Sequence, residues 1–573
     1  MARAWNDVLL DAIRNDRPVP TVHARNLFHV SAAMYDAWAA YDESARGYFV
    51  DAGAATVDRI TVGATPAVID ARRVDTISTA AWVVLTERYK NSAETTLESF
   101  DNVLAEYCLD RPQRRAREGT AQALGLRIGH AVLAQTIDDG SLEAKGYEAD
   151  PWDMANPALA VDRVGTSMAD PNRWQPLEFP SPPDAEDPNE RIVQAFTTPH
   201  WGSVVSFAMD DLPDPMPIDP GTPPLLGDLD DADFKEAVLD VIEFSSVLDA
   251  NNGVLLDASP NQRGANTLGA DDGIGYAVNP IAGNPYEPNI VPLGDYGRVL
   301  AEFWADGPQS ETPPGHWNTL ANEVSDHPEL EHRSAETGEP VDRLEWDVKL
   351  YFALNGALHD AAVAAWGSKA VYDYVRPVSM IRYLGGNGQS SDPLGESYDP
   401  EGLPLQSGLV EVITEESSAA GGHHEALADH IGEIAVRSWT APGDEPVQWI
   451  LATQWLPYQE STFVTPSFPG YVSGHSTFSR AAAVVMTRYT GSEFFPGGLG
   501  GFTIEPGWLK FDEGPTQPIT LQWATYYDAA DEAGLSRLYG GIHVAVDDYG
   551  GRIMGATCGE LAYDKALDYF DPA

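Results

Sequence analysis

Long stretches of this chain return to an apolar residue every three or four positions, the spacing that lays side chains along one face of an α-helix. The clearest are "HARNLFHVSAAMYDAWAAYD" (23–42), "PAVIDARRVDTISTAAWVVLTERY" (66–89) and "RAREGTAQALGLRIGHAVLAQTIDD" (115–139). Further helices are predicted over 231–249, 293–305, 341–366, 420–439, 474–490, 519–533 and 545–567. Strand-like alternation is scarce, so the fold class expected is all-α. Helices of this number bury their apolar faces by forming bundles, and two four-helix-bundle-like cores are expected. Loops rich in Pro, Gly, Asp and Asn separate them at 140–190, 209–230, 253–292, 385–416 and 491–516. A faint echo links "SAAMYDAW" (31–38) with "HDAAVAAW" (359–366), which suggests two similar bundles. The loop 253–292 divides an N-terminal helical half, 1–252, from a C-terminal half, 253–573, within one compact unit.

The 87 acidic residues outnumber 35 basic ones, for a formal charge of -52 over 573 residues. A nucleic-acid partner or an anionic membrane surface needs a basic footprint, so both are excluded as expectations. No apolar run approaches the roughly 20 residues of a membrane span. The charge suits a strongly hydrated surface and salty surroundings, and an acidic secreted enzyme would carry the same bias. Cys108 and Cys558 are too few for a disulfide framework or a CxxC metal site, and their pairing stays open. The opening "MARAWNDVLLDAIRND" reads as an amphipathic helix rather than a signal peptide. The localisation expected is secreted or periplasmic, with any signal outside this chain; a homo-oligomer is compatible.

The residue types an oxyanion needs collect in three C-terminal segments. In "WGSKAVYDYVRPVS", Lys369 precedes Arg376 by seven residues, two helical turns, so the spacing predicts both cations on one helix face. In "PSFPGYVSGHSTFSRAAAVVM", Ser473-Gly474-His475 opens an apolar helix, whose free N–H groups and positive dipole end favour anions. In "SRLYGGIHVAVD", Gly540-Gly541 should end the helix that carries Arg537. His543 and Asp547, four apart, then share a face where the carboxylate can fix the imidazole's tautomer. Each segment alone reads more simply as surface charges and a helix-start histidine. Together they place three cations and two histidines where one tetrahedral or pentacoordinate oxyanion could sit.

In order and spacing, these segments resemble the signatures of the vanadium-dependent haloperoxidases and the related acid phosphatases of the PAP2 superfamily: K-x6-RP, PSGH and SR-x5-H-x3-D. The likeness covers about 366–547 and extends weakly to "EFWADGPQSETPPGHWN" (302–318). Val472 departs from it, standing where PSGH has proline. The resemblance implies a vanadate cofactor, with hydrogen peroxide, halide and small organic acceptors as reaction partners. It makes His543 the vanadium ligand and gives the vanadate oxygens to Lys369, Arg376, Ser473, the Gly474 amide and Arg537. It makes His475 the acid/base, Lys369 the group that polarises bound peroxide, Asp306 a partner of Arg537 and Asp547 the support of His543. Asp548 would point off that face. Trp366 and Phe468 match aromatic positions of the fungal chloroperoxidase branch, compatible with chloride oxidation and equally with plain packing around a buried site.

The same residues serve an acid phosphatase or phosphotransferase, in which His543 would attack phosphorus and His475 would protonate the leaving group. A non-catalytic oxyanion binder is a third reading, disfavoured because both histidines and every cation are present. Two other motifs carry less. "HHEALADH" (423–430) has His424-Glu425, but Ala428 stands where HExxH needs a second histidine, so a packed or solvated His423/His430 pair is expected. "GDLDDADF" (227–234) is half a calcium loop without its spaced glycine and final glutamate. A structural calcium is left open and unassigned.

Overall fold

The computed structural model describes residues 1–52, 60–112, 116–181, 191–209, 218–229, 231–264, 275–307, 310–443 and 445–571. Its helices are α1 (Ala2–Arg14), α2 (Pro20–Ala39), α3 (Pro66–Arg88), α4 (Glu94–Glu106), α5 (Ala121–Gln135), α6 (Asp231–Ser246) and α7 (Leu293–Phe303). They continue with α8 (Thr312–Asp326), α9 (Arg343–Tyr372), α10 (Pro377–Asn387), α11 (Gly474–Thr490), α12 (Tyr526–Tyr539) and α13 (Ala545–Phe570). Short strands form small sheets among the described residues: β1 (Leu159–Ala160), β2 (Leu177–Pro180) and β3 (Arg191–Val193); then β4 (Leu255–Asp257) with β5 (Ile290–Pro292). An antiparallel set follows, β6 (Val410–Val412), β7 (Ile434–Trp439) and β8 (Val447–Leu451), and finally β9 (Gly500–Ile504) pairs with β10 (Ile519–Trp523). The fold is all-α in class, with the sheets confined to connections.

Helix α9 is the shared wall of two bundles. It packs against α2, which packs in turn on α3 and α5, and on its other side against α11 and α13, with α12 against α11. The two segments of the internal echo thus lie on α2 and α9, which pack on each other. Every residue of α2 is buried, as are Trp346 to Trp366 on α9. That is the position of helices that are apolar nearly all round. One continuous apolar core joins the two bundles. Cys108 is exposed and Cys558 buried, and both are free thiols. No described helix is long and apolar enough to cross a membrane.

Two predicted helices are corrected. Over 420–439 the chain forms a short 3-10 turn, Glu425–His430, and then strand β7. Gly421 and Gly432 both hold positive φ there. Ile434-Ala435-Val436 is buried on both faces, and such an apolar run looks alike as helix or strand. Over 519–533 the chain opens as β10, with Ile519, Leu521 and Trp523 buried in alternation. Thr525 then caps α12, its hydroxyl accepting from the Asp528 N–H while the Asp528 carboxylate accepts from the Thr525 N–H.

The pairing of α11 with α13 brings their N-termini side by side, and glycine sets its closeness. Gly551, Gly555 and Gly559 lie one turn apart along α13, facing α11. A Cβ on Gly551 or Gly559 would stand 2.7 Å from the carbonyl oxygen of Ser473 or Ala481, and one on Gly555 would collide with that of Thr477. Gly555→Ala is therefore expected to destabilise the protein by about 1 to 3 kcal/mol in equilibrium denaturation, because backbone cannot yield as a side chain does.

Candidate oxyanion site

The site is assembled where three helix ends meet. Asp342 caps α9, accepting from the Glu345 N–H, and α9 runs as far as Tyr372, with Lys369 in its last turn. Asp373 is left-handed, at φ 45°, and stops the helix. Arg376 is the residue before α10, so it does not share a helix face with Lys369 as its spacing suggested. Both side chains are nonetheless buried and turned onto one segment. Lys369 Nζ donates to the carbonyls of Pro469 (2.7 Å) and Gly470 (2.9 Å). Arg376 Nε donates to Phe468 O at 2.9 Å and Nη1 to Ile542 O at 2.7 Å.

Ser473 is the N-cap of α11, its Oγ accepting from the Ser476 N–H at 3.3 Å. A hydroxyl that accepts at a cap still has its own proton to give. The Ser473 N–H donates to Asp547 O at 2.8 Å, tying the start of α11 to that of α13. Gly474 has no side chain to cover the helix end; a Cβ there would touch the Trp366 ring at 3.4 Å. The peptide before Val472 is cis. Gly540 and Gly541 do end α12 after Arg537, with Gly541 at φ 68°.

Hydrogen bonds decide which nitrogen of each histidine is free. His543 Nδ1 donates to Asp547 Oδ2 at 2.7 Å, so Nε2 carries the lone pair, and Arg376 Nη1 lies 3.2 Å from it. Asp547 Oδ2 also accepts from the Val544 N–H at 3.2 Å. His475 Nε2 donates to Trp304 O at 2.6 Å, which leaves Nδ1 unprotonated in the neutral ring. Arg537 donates to Ala301 O at 2.5 Å and to Ser536 Oγ at 3.0 Å. Asp306, His475, Arg537 and Ile542 line one narrow pocket with Phe463, Pro466 and Phe511. Among the described residues Asp306 Oδ1 has no hydrogen-bond partner, and Asp306 acts on Arg537 through its charge. Trp366 and Phe468 pack with ring centroids 4.8 Å apart, and Lys369 Nζ lies 5.0 Å from the Phe468 ring.

The electrostatics follow from burial. Loss of water pulls Lys369 well below its usual range, and the charge of Arg376 pulls it further. Burial brings Arg376 down to about 9 and Arg537 to about 10, both still charged at neutral pH. His543 is held well below 6.5 by burial and then by Arg376 and Lys369, and His475 by burial and then by Arg537, so both rings are neutral. Burial pushes Asp306 up to about 7 against the charge of Arg537, and pushes Asp547 up against Lys369 and Arg376. Two buried guanidiniums and the Lys369 amine thus face two reluctant carboxylates. A place with surplus positive charge and little water attracts an anion.

All eleven residues singled out in the sequence lie in or around this site. The backbone acceptors that aim them were not foreseen: the carbonyls of Ala301, Trp304, Phe468, Pro469, Gly470 and Ile542. Nor was His316, partly buried with its ring 4.5 Å from that of Trp304, although its segment had been noted. Asp548 points away from His543 and binds Arg552 through both oxygens, at 2.9 and 2.6 Å. It lines a larger cavity, about 780 Å³, that takes in none of the oxyanion-facing residues. In 227–234, the Asp231 carboxylate is engaged by Lys235 and the Gly227 N–H, and residue 230 lies outside the described residues.

Residues 349–572 match the family described as the VCPO second helical-bundle domain. Over that span the chain is similar to this family. The matched span begins near the start of α9 and contains each of the three motifs. The whole chain is similar to the apo-type structure of a bacterial vanadium-dependent chloroperoxidase, at 17% identity and TM-score 0.63, over 96% of this chain and 94% of that one. The holo-type structure gives 16% identity and TM-score 0.61 over 97% and 93%. The first bacterial vanadium-dependent iodoperoxidase gives 16% and 0.54 over 98% and 95%. At such identities the likeness speaks for the fold, and it includes the N-terminal bundle. No curated protein matches the chain by sequence.

Proposed function

We propose that the protein is a vanadium-dependent haloperoxidase that uses hydrogen peroxide to oxidise halide to hypohalous acid or its equivalent, which halogenates small organic acceptors. The observation that carries this is the neutral His543 ring, its Nδ1 proton held by Asp547 and its Nε2 lone pair turned toward Arg376 among buried cations. Vanadate fits this set: Nε2 of His543 would bond vanadium, and Lys369, Arg376, Ser473, the Gly474 N–H and Arg537 would hold its oxygens. Bound vanadate supplies a Lewis-acidic centre that activates peroxide without changing the oxidation state of vanadium.

The chain's own groups do the rest. Nδ1 of His475 takes a proton from peroxide and returns it later, since Trp304 O already occupies Nε2. Lys369 spends two N–H groups on carbonyls and keeps a third to polarise the peroxide oxygen. Trp366 and Phe468 shield the cations from water, which strengthens each of these interactions. Asp547 keeps His543 in the tautomer that offers Nε2.

The deciding assay supplies vanadate-loaded protein with peroxide and chloride, bromide or iodide in turn, beside a phosphate-ester assay on the vanadate-free form. Vanadate-dependent halogenation is the expected result. Ester hydrolysis that vanadate inhibits, without halogenation, would transfer His543 and His475 to the phosphatase mechanism.

Oxyanion affinity should also depend on pH in a defined direction. An anion beside Lys369 raises its depressed pKa, so binding takes up a proton once pH exceeds the value in the free protein, which lies well below 10.5. Affinity is full below that value and falls by up to about tenfold per pH unit above it. Vanadate titrations as a function of pH check this, and Lys369→Met should flatten that part of the slope.

A further inference from the structure

A second cluster lies in the small sheet of β6, β7 and β8, on residues the oxyanion site does not use. Glu411 is the middle residue of β6, and His423 and His424 precede the 3-10 turn that leads to β7. One ligand atom from each lies within 4.8 Å of the other two. His423 Nε2 stands 2.7 Å and His424 Nε2 4.0 Å from Glu411 Oε2. A tetrahedral ion with bonds of about 2.0 to 2.1 Å needs ligand atoms about 3.3 Å apart. The two separations from Glu411 bracket that value, and the two imidazole atoms lie within 4.8 Å of each other.

His424 supplies the independent observation. Its side chain is fully buried, and among the described residues its Nε2 has no hydrogen-bond partner while facing the Glu411 carboxylate. Its Nδ1 lies 2.9 Å from Ser417 Oγ, which also accepts from the Thr414 N–H at 2.9 Å and can give its own proton to Thr414 O. With Ser417 Oγ accepting, Nδ1 is the donor and Nε2 keeps its lone pair, the arrangement that outer hydrogen bonds impose on metal-binding histidines. Glu411 is steadied likewise, its Oε1 accepting from the Gly408 N–H at 2.7 Å. Trp449 of β8 packs on both imidazoles, at 4.6 Å from His424 and 5.4 Å from His423. A simple Glu411–His423 ion pair would explain neither the unpartnered nitrogen nor its direction.

We infer that Glu411, His423 and His424 form a binding site for a borderline divalent cation of the zinc class, separate from the oxyanion site. Two imidazoles and one carboxylate suit zinc, and His423, about half exposed, leaves the fourth position to solvent. The ion would clip β6 to the turn before β7, with a structural effect on the sheet.

The test uses the full chain, stripped with a chelator, loaded with vanadate to occupy His543, and titrated calorimetrically with zinc; cobalt(II) provides a coordination spectrum. One equivalent should bind in the micromolar range or tighter, with the intense visible bands of tetrahedral cobalt(II). Glu411→Gln, which keeps shape at a partly exposed position, and His423→Ala, at an exposed one, should each weaken binding by more than about tenfold. His424→Ala should abolish it, circular dichroism confirming the fold. Absence of a stoichiometric equivalent, or an equivalent that Glu411→Gln and His423→Ala both retain, would overturn the assignment.

Discussion

His543→Ala is expected to lose all vanadate-dependent halide oxidation and to bind vanadate at least about a hundredfold more weakly. Groups that merely orient a metal ligand are worth about 10 to 100-fold, and here the ligand itself is removed. The imidazole is buried, neutral and hydrogen-bonded through Nδ1, so Nε2 is the nitrogen lost. Alanine leaves Asp547 holding the Val544 N–H, and α13 should keep its start. The loss should therefore appear in equilibrium vanadate titrations as well as in turnover, with the far-ultraviolet spectrum unchanged. A variant that binds vanadate like the parent would remove His543 from the proposed role.

Arg376→Lys should cost nearly as much although it preserves the charge. Arg376 bridges three carbonyls, those of Phe468, Pro469 and Ile542, while facing His543 Nε2. A planar fork reaches such partners together, and an ammonium on a flexible stem cannot. The expected result is a loss of about 10² to 10³-fold in kcat, the scale for removing one preorganised oxyanion donor. A stability loss of about 1 to 3 kcal/mol should accompany it, from buried carbonyls left without donors. Vanadate titration and urea denaturation of the same preparation measure the two separately. If lysine retained wild-type turnover, charge alone would suffice and the fork geometry would be irrelevant.

The helices were legible in the sequence where apolar spacing ran long and uninterrupted, as in α2, α3, α9 and α13. The misreadings came where period and propensity competed. Ile434-Ala435-Val436 is a fully buried run that carries no periodic signal, and Ile519 to Trp523 alternates over too few residues to stand out beside the helix that follows. The Lys369/Arg376 pair shows a different limit. Their spacing is helical, but a left-handed Asp373 lies between them. They meet because both donate to Pro469 O.

By itself the sequence determined which side chains could make an oxyanion site and the helix start that Ser473 and Gly474 open at α11. Those properties are local, set by residue type and by neighbours within a turn. Only the tertiary structure decided which nitrogen of each histidine is free, how the cations are aimed and that their charge goes uncompensated. Trp304 fixes the proton of His475 from 171 residues away, and Pro469 holds Lys369 across 100. The partners in those contacts are backbone carbonyls, which every residue carries and no side chain announces. Their role arises only when the glycine stripe of α13 lets it close on α11 and brings the helix ends together.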